Sequence, residues 1–161
     1  MKQILQSDWL LVIILLLLSI FFLWGTQFIP FHPDESTQLY MSSDFEALFT
    51  NPGSLFWQPQ REGDPRQRYR ELDAPITKYL LGLGRWIAGR DALPVDWNWA
   101  ASWQGNLDAG AYPDAQLFRV GRVTITLLLP LSTFLIYLIG KHLQGRSTGL
   151  LAAILLGTNA V

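Results

Sequence analysis

The chain has 161 residues, half of them apolar, 12 basic against 13 acidic side chains and a formal net charge of −1. Such a balance excludes a global field for nucleic acid, and no Lys/Arg run with interleaved aromatics suggests a strand-binding groove, so nucleic acid is not an expected partner. Cysteine is absent, which removes disulfides, thiolate zinc sites and thiol catalysis.

Residues 1–8 are short and polar with Lys2, and read as a cytoplasmic N-terminus. Residues 9–29, WLLVIILLLLSIFFLWGTQFI, carry no charge over 21 positions, about the 20 residues a helix needs to cross the hydrocarbon core. Trp9 and Trp24 bracket this first expected transmembrane helix as interfacial anchors. A cleaved secretory signal fits less well, because the apolar run is too long and no small-x-small site follows it.

Residues 30–117 form the long connection, rich in Pro, Gly and Trp and free of repeats, which reads as an ordered, turn-rich extracytoplasmic cap on the membrane surface. The stretch FIPFHPDESTQLY opens it with two adjacent carboxylates, Asp34 and Glu35, at the membrane edge. Pro33 suits a first helical turn and Asn51-Pro52-Gly53 a stop, so a juxtamembrane helix is expected over 33–49. Helical periodicity then puts Met41, Phe45 and Leu48 on the face headed by Asp34, with Glu35 about 100° away. As plain structure, both acids also complement the helix dipole.

A second juxtamembrane helix is expected over 75–89, PITKYLLGLGRWIAG, too short and too cationic to span and so lying in the interface. Lys78, Gly82 and Arg85 share one face, where a phosphate approaches the bare backbone at Gly82 between a point charge and a guanidinium fork. Snorkelling to lipid headgroups is the alternative for both cations. Trp86, Trp97, Trp99 and Trp103 read as an interfacial belt in preference to sugar-stacking platforms.

Residues 118–140 form the second expected transmembrane helix, with Arg119 and Arg122 at its mouth and Pro130 tolerable within a membrane helix. A cytoplasmic turn follows at 141–148, and residues 149–161 begin a third span that stops short, so the chain reads as a piece of a larger multi-span bundle. Lys2, Lys141 and Arg146 fall on one side of the membrane, which the positive-inside rule makes cytoplasmic. The fold class is therefore an all-α membrane protein, multi-pass in the plasma (inner) membrane, with the long loop extracytoplasmic.

The order of these parts resembles the N-terminal end of the polyprenyl-phosphate-dependent membrane glycosyltransferases of the GT-C type, which include protein O-mannosyltransferases and lipid A aminoarabinose transferases. The resemblance is carried by PDESTQLY after the first span, and by LDAPITKYLLGLG, which is similar to an H-P-P-L-x-K motif at Pro75, Lys78 and the glycines. FRVGRVTITLLLPLSTFLIYLIGKHLQGRSTGLLAAILL carries the third element, an Arg leading into a span with a Tyr-x-x-Gly end and a Gly-Leu-Leu-Ala-Ala start to the next. Asp73 and Ala74 depart from the mannosyltransferase pattern and leave sugar and acceptor open.

The resemblance implies inverting transfer of a sugar from a polyprenyl-phosphate donor to an acceptor hydroxyl on a protein or lipid, in membrane lipid. The residues suit that chemistry: Asp34 or Glu35 as the general base, and Lys78, Arg85, Arg119 and Arg122 as cations for the departing lipid phosphate. Relatives in the aminoarabinose group have an acidic residue near position 73 associated with a divalent metal, which makes Asp73 a metal candidate. A non-catalytic membrane subunit using the Trp-rich cap as a partner surface is the alternative. A transporter fits poorly, since the first span holds no ionisable residue.

Overall fold

The structure is a computed structural model that describes residues 9–73 and 75–158. The expected cytoplasmic residues 1–8 with Lys2, Ala74, and the last residues of the third expected span lie outside the described residues. Among the described residues the chain is helical throughout, with no strand. It divides into two compact units, one built from 1–29 and 126–161, the other from 30–125.

In the first unit, α1 (Trp9–Gly25), α8 (Leu128–Gln144) and α9 (Arg146–Thr158) pack together. The expected 9–29 span ends as helix at Gly25, where the chain turns through Thr26 and Phe28. One helical stretch among the described residues, Ala115–Gln144, is long and apolar enough to cross a membrane; Leu11–Gly25 and Arg146–Thr158 are shorter apolar helices. The 115–144 stretch is parted by a single turn residue, Leu127, into α7 (Ala115–Thr126) and α8. Pro130 explains the break, because it offers no N–H to the carbonyl four residues back, that of Thr126.

The α8–α9 hairpin is closed by small residues. A Cβ on Gly149 would stand 2.6 Å from the Tyr137 carbonyl oxygen, and one on Gly140 would stand 2.9 Å from the Gly149 Cα, so the two backbones meet where neither helix has a side chain. Gly145 makes the turn at φ +92°, in the left-handed region that favours glycine. Leu11, Tyr137 and Ala153 form the buried core beneath.

The second unit begins with α2 (Pro33–Met41) and α3 (Asp44–Thr50), not the one helix expected over 33–49. The break falls at Ser42-Ser43, whose hydroxyls donate back to the carbonyls of Leu39 (2.6 Å) and Tyr40 (3.2 Å), the local competition with the helix ladder typical of serine. Short 3₁₀ turns at Pro52–Leu55 and Pro59–Arg61 lead to α4 (Pro65–Leu72), capped by the Asp64 side chain on the Arg66 N–H (2.9 Å). Then come α5 (Pro75–Ile87) and a short α6 (Trp103–Asp108), capped by Ser102. Helices α4 and α6 were not expected, although each is announced by a capping residue.

Helix α5 is the hub, packed against both α2 and α3. Leu39, Leu81, Leu93 and Leu117 form the aliphatic core around it. A second, aromatic cluster joins Phe31 to Trp97 (5.3 Å), Trp103 (5.7 Å), Tyr112 (4.7 Å) and Phe118 (5.8 Å) between ring centres. This corrects the belt reading for Trp97, which is buried core; Trp86 and Trp99 are exposed.

Gly82 is where α3 and α5 touch. A Cβ there would collide with the Phe45 side chain and stand 2.6 Å from the Ser42 carbonyl oxygen. The gap expected to admit a phosphate is thus filled by the α2–α3 corner. Gly82→Ala should therefore destabilise the second unit by about 1–3 kcal/mol through overpacking, whereas Gly53→Ala, which meets only Asn51 at 3.7 Å, should not. Amide hydrogen exchange along α5 reads the difference; unchanged protection in Gly82→Ala would contradict the packing.

Candidate functional site

The site is built on the N-terminus of α2. His32 precedes the helix in extended conformation, Pro33 fixes the first turn, and the Glu35 carboxylate accepts from the His32 N–H at 2.9 Å. The His32 ring nitrogen Nδ1 accepts in turn from the Asp34 N–H at 3.3 Å. This is a capping box with histidine in place of serine, and it satisfies donors the helix leaves open.

The two adjacent carboxylates meet opposite fates. Glu35 takes two charge-assisted bonds from Arg122, Nε at 2.8 Å and Nη2 at 2.9 Å. Arg122 donates further to the Pro30 carbonyl (3.0 Å) and lies over the Phe118 ring, 3.9 Å from its centre. Glu35 is thereby a clasp between α2 and α7. Asp34 points outward with 71% of its side chain exposed, 3.4 Å from His32 Nδ1.

Lys78 and Arg85 lie on one face of α5 as expected, but that face is turned inward. Lys78, 3% exposed, meets Asp44 of α3 at 3.1 Å. Arg85, 2% exposed, grips both Glu46 oxygens (2.6 and 2.7 Å), the Ser42 hydroxyl (2.9 Å) and the Arg90 carbonyl (2.7 Å). The donor-phosphate expectation for these two cations meets a site in which their charge is already answered. Arg70 of α4 completes the network with a fork on Asp44, at 2.8 and 2.7 Å. Burial pushes the Asp44 carboxyl up, but the hydrogen bonds and charges of Arg70 and then Lys78 outweigh it and hold its pKa below the ordinary 3.8.

Arg119 is exposed on α7, three positions before Arg122, so their Cβ atoms stand about 5–6 Å apart on one helix face. Of the four cations expected at the donor phosphate, Arg119 is the exposed one, the other three being held by Asp44, Glu46 and Glu35. Asp73 closes the C-terminus of α4, half-buried, and among the described residues no three metal-ligating side chains gather around an ion position.

Residues the sequence reading passed over complete the surroundings. Asp96 accepts from the Thr37 hydroxyl (2.8 Å), the Tyr69 hydroxyl (2.7 Å) and the Trp97 N–H (2.8 Å), tying α2, α4 and the loop before α6. Burial and the Asp96 carboxylate push the Tyr69 hydroxyl up to about 12, which keeps it a donor. Beside it opens a cleft of about 510 Å³ lined by Glu62, Arg68, Tyr69, Leu72 and Trp99. Trp99 also faces His32, 6.4 Å between ring centres, so one aromatic ring stands between the cleft and the Asp34 end of α2.

Compared with family models, curated proteins and solved structures, the chain matches none.

The unlike settings of the two acids separate them experimentally. Glu35→Gln gives up charge-assisted bonds and should cost about 1.5–3 kcal/mol, whereas Asp34→Asn should cost a few tenths to 1 kcal/mol through the helix dipole. Chemical unfolding of each variant in detergent, followed by tryptophan fluorescence, measures both; equal losses would remove the distinction.

Proposed function

We propose that this chain supplies the base-bearing cap of an inverting glycosyltransferase, which moves a sugar from a polyprenyl-phosphate donor to an acceptor hydroxyl of a protein or lipid at the extracytoplasmic membrane surface. The observation that carries the reading is the contrast at α2. Of two neighbouring carboxylates, Glu35 is consumed by Arg122 and the cap, and Asp34 stands solvent-facing on a helix end made rigid by that clasp.

A hydroxyl is a weak nucleophile at neutral pH, and a carboxylate within hydrogen-bond reach takes its proton as the new C–O bond forms. Asp34 has that freedom, and Glu35 holds it in place as a positioning residue. In the reaction the acceptor oxygen attacks the anomeric carbon, the bond from that carbon to the phosphate oxygen breaks, and the proton passes to Asp34. One in-line displacement inverts the anomeric centre, in contrast to a two-carboxylate retaining route with a covalent intermediate.

The lipid phosphate leaves with its charge, which a preorganised cation stabilises. Arg119, exposed one turn from Arg122, is the cation assigned to it. Lys78 and Arg85 act indirectly here, by fixing α3 against α5. The cleft beside Trp99 provides the acceptor side, where an exposed indole and the carboxylate of Glu62 offer a stacking face and a hydrogen-bond acceptor.

The test is single-turnover transfer from a polyprenyl-phosphate hexose or pentose in nanodiscs, using the complete reading frame that carries this chain. Asp34→Asn should lower turnover by about 10² to 10⁴ with donor affinity little changed, and Arg119→Ala should weaken donor use. Full turnover in Asp34→Asn would eliminate it as the base.

A further inference from the structure

Helix α5 is amphipathic in the reverse sense from a helix at a water-facing surface. Taking about 100° per residue, Ile76, Leu83 and Ile87 fall within a narrow stripe, with Trp86 at its flank. Lys78, Gly82 and Arg85 lie on the opposite side. The charged side is the buried one, and the apolar stripe is open: Ile76 is 68% exposed, Ile87 71% and Trp86 63%. Helix α3 extends the same surface. The Phe45 ring lies 6.4 Å from that of Trp86 and 5.4 Å from that of Phe49, which is itself 75% exposed.

We infer that this α3–α5 face inserts into the hydrocarbon edge of a lipid bilayer, and that it does so without headgroup charge. A contiguous apolar surface rimmed by a tryptophan marks a partner of apolar chemistry. Lipid is favoured over protein by the chain's own connectivity. The unit's entry at Pro30 follows the apolar helix α1, and its last residues, 115–125, begin the 115–144 stretch that is long and apolar enough to cross a membrane. A bilayer held by those helices would thus be tethered to both ends of this unit.

The charge assignment separates this mode from ordinary interfacial binding. An interfacial helix normally keeps Lys and Arg on its wet face for anionic headgroups. In α5 those cations are turned inward onto Asp44 and Glu46, leaving aliphatic and aromatic groups to meet lipid. Immersion should therefore depend on apolar area and be indifferent to anionic lipid and to salt. The burial of Lys78 and Arg85 sets aside the snorkelling alternative, and the inference holds whether or not this unit belongs to a transferase.

The absence of cysteine allows single nitroxide labels on the whole chain in phosphatidylcholine nanodiscs, at Phe49→Cys, Ile87→Cys and, on the exposed part of α6, Gln104→Cys. Both test positions are exposed, so labelling leaves the packing intact, and either reports if the other variant fails to fold. Labels at 49 and 87 should be relaxed more by oxygen than by a water-soluble nickel chelate, and the label at 104 the reverse. Adding anionic lipid, or about 1 M salt, where the screening length falls to about 3 Å, should leave the depths unchanged. Nickel dominance at 49 and 87 would overturn the inference. So would spin–spin broadening that disappears on dilution with unlabelled chain, which marks a second copy on this face, or shielding from both reagents, which marks a protein cover. A depth that shifts with salt would overturn its charge-free character.

Discussion

The second unit is organised by two carboxylates of one short helix and the cations that hold them, Asp44 out of water and Glu46 at the edge of it. Asp44 sits at 1% exposure between the Arg70 fork and the Lys78 ammonium, and Glu46, two residues on, holds Arg85. Burying such charges singly is costly, and the cost is offset only when geometry is good and every remaining donor finds an acceptor. The guanidinium donors find further acceptors here: Arg70 also donates to the Ser54 carbonyl, and Arg85 to Ser42 and Arg90. The consequence is directional. Once the cations of α5 face inward, Ile76, Leu83 and Ile87 must face out, and Gly82 must lie against Phe45.

The same logic of opposite fates governs α2. A residue pair that looks equivalent in sequence is split by helical geometry, with Glu35 turned toward Arg122 and Asp34 toward solvent. The Glu35–Arg122 clasp ties the start of α2 to α7 and leaves the neighbouring carboxylate in solvent, the contrast on which the proposed proton transfer rests. Trp99, 6.4 Å from His32 between ring centres and lining the cleft beside Tyr69, stands next to both.

Local signals were legible in the residues. Pro33 and Pro75 start the helices expected of them, Asn51-Pro52 ends one, and the apolar stretches are helical. Pro130 was expected to sit within one continuous span, but the helix breaks at Leu127, where its missing N–H leaves the Thr126 carbonyl without a partner in the ladder. Partner choice was not legible. Arg70 and Asp44 are 26 positions apart and Arg122 and Glu35 are 87 apart, and nothing in local spacing says which cation turns inward. The face shared by Lys78 and Arg85 was read correctly, but its direction was not, because periodicity gives the angle between side chains and leaves the rotation of the helix undetermined. The Ser42-Ser43 break was hidden by an apolar period that continues through it.

The most direct measurement is the unfolding free energy of Asp44→Asn beside the parent chain in detergent, followed from neutral to acid pH. Because the folded Asp44 carboxyl is held below its ordinary 3.8, its contribution is complete above that value and is lost as pH falls through the folded pKa. Asp44→Asn should lose about 3–5 kcal/mol at neutral pH, from leaving Arg70 and Lys78 unanswered, and should show a flatter acid limb than the parent. A variant as stable as the parent at neutral pH, with the same acid limb, would contradict that expectation.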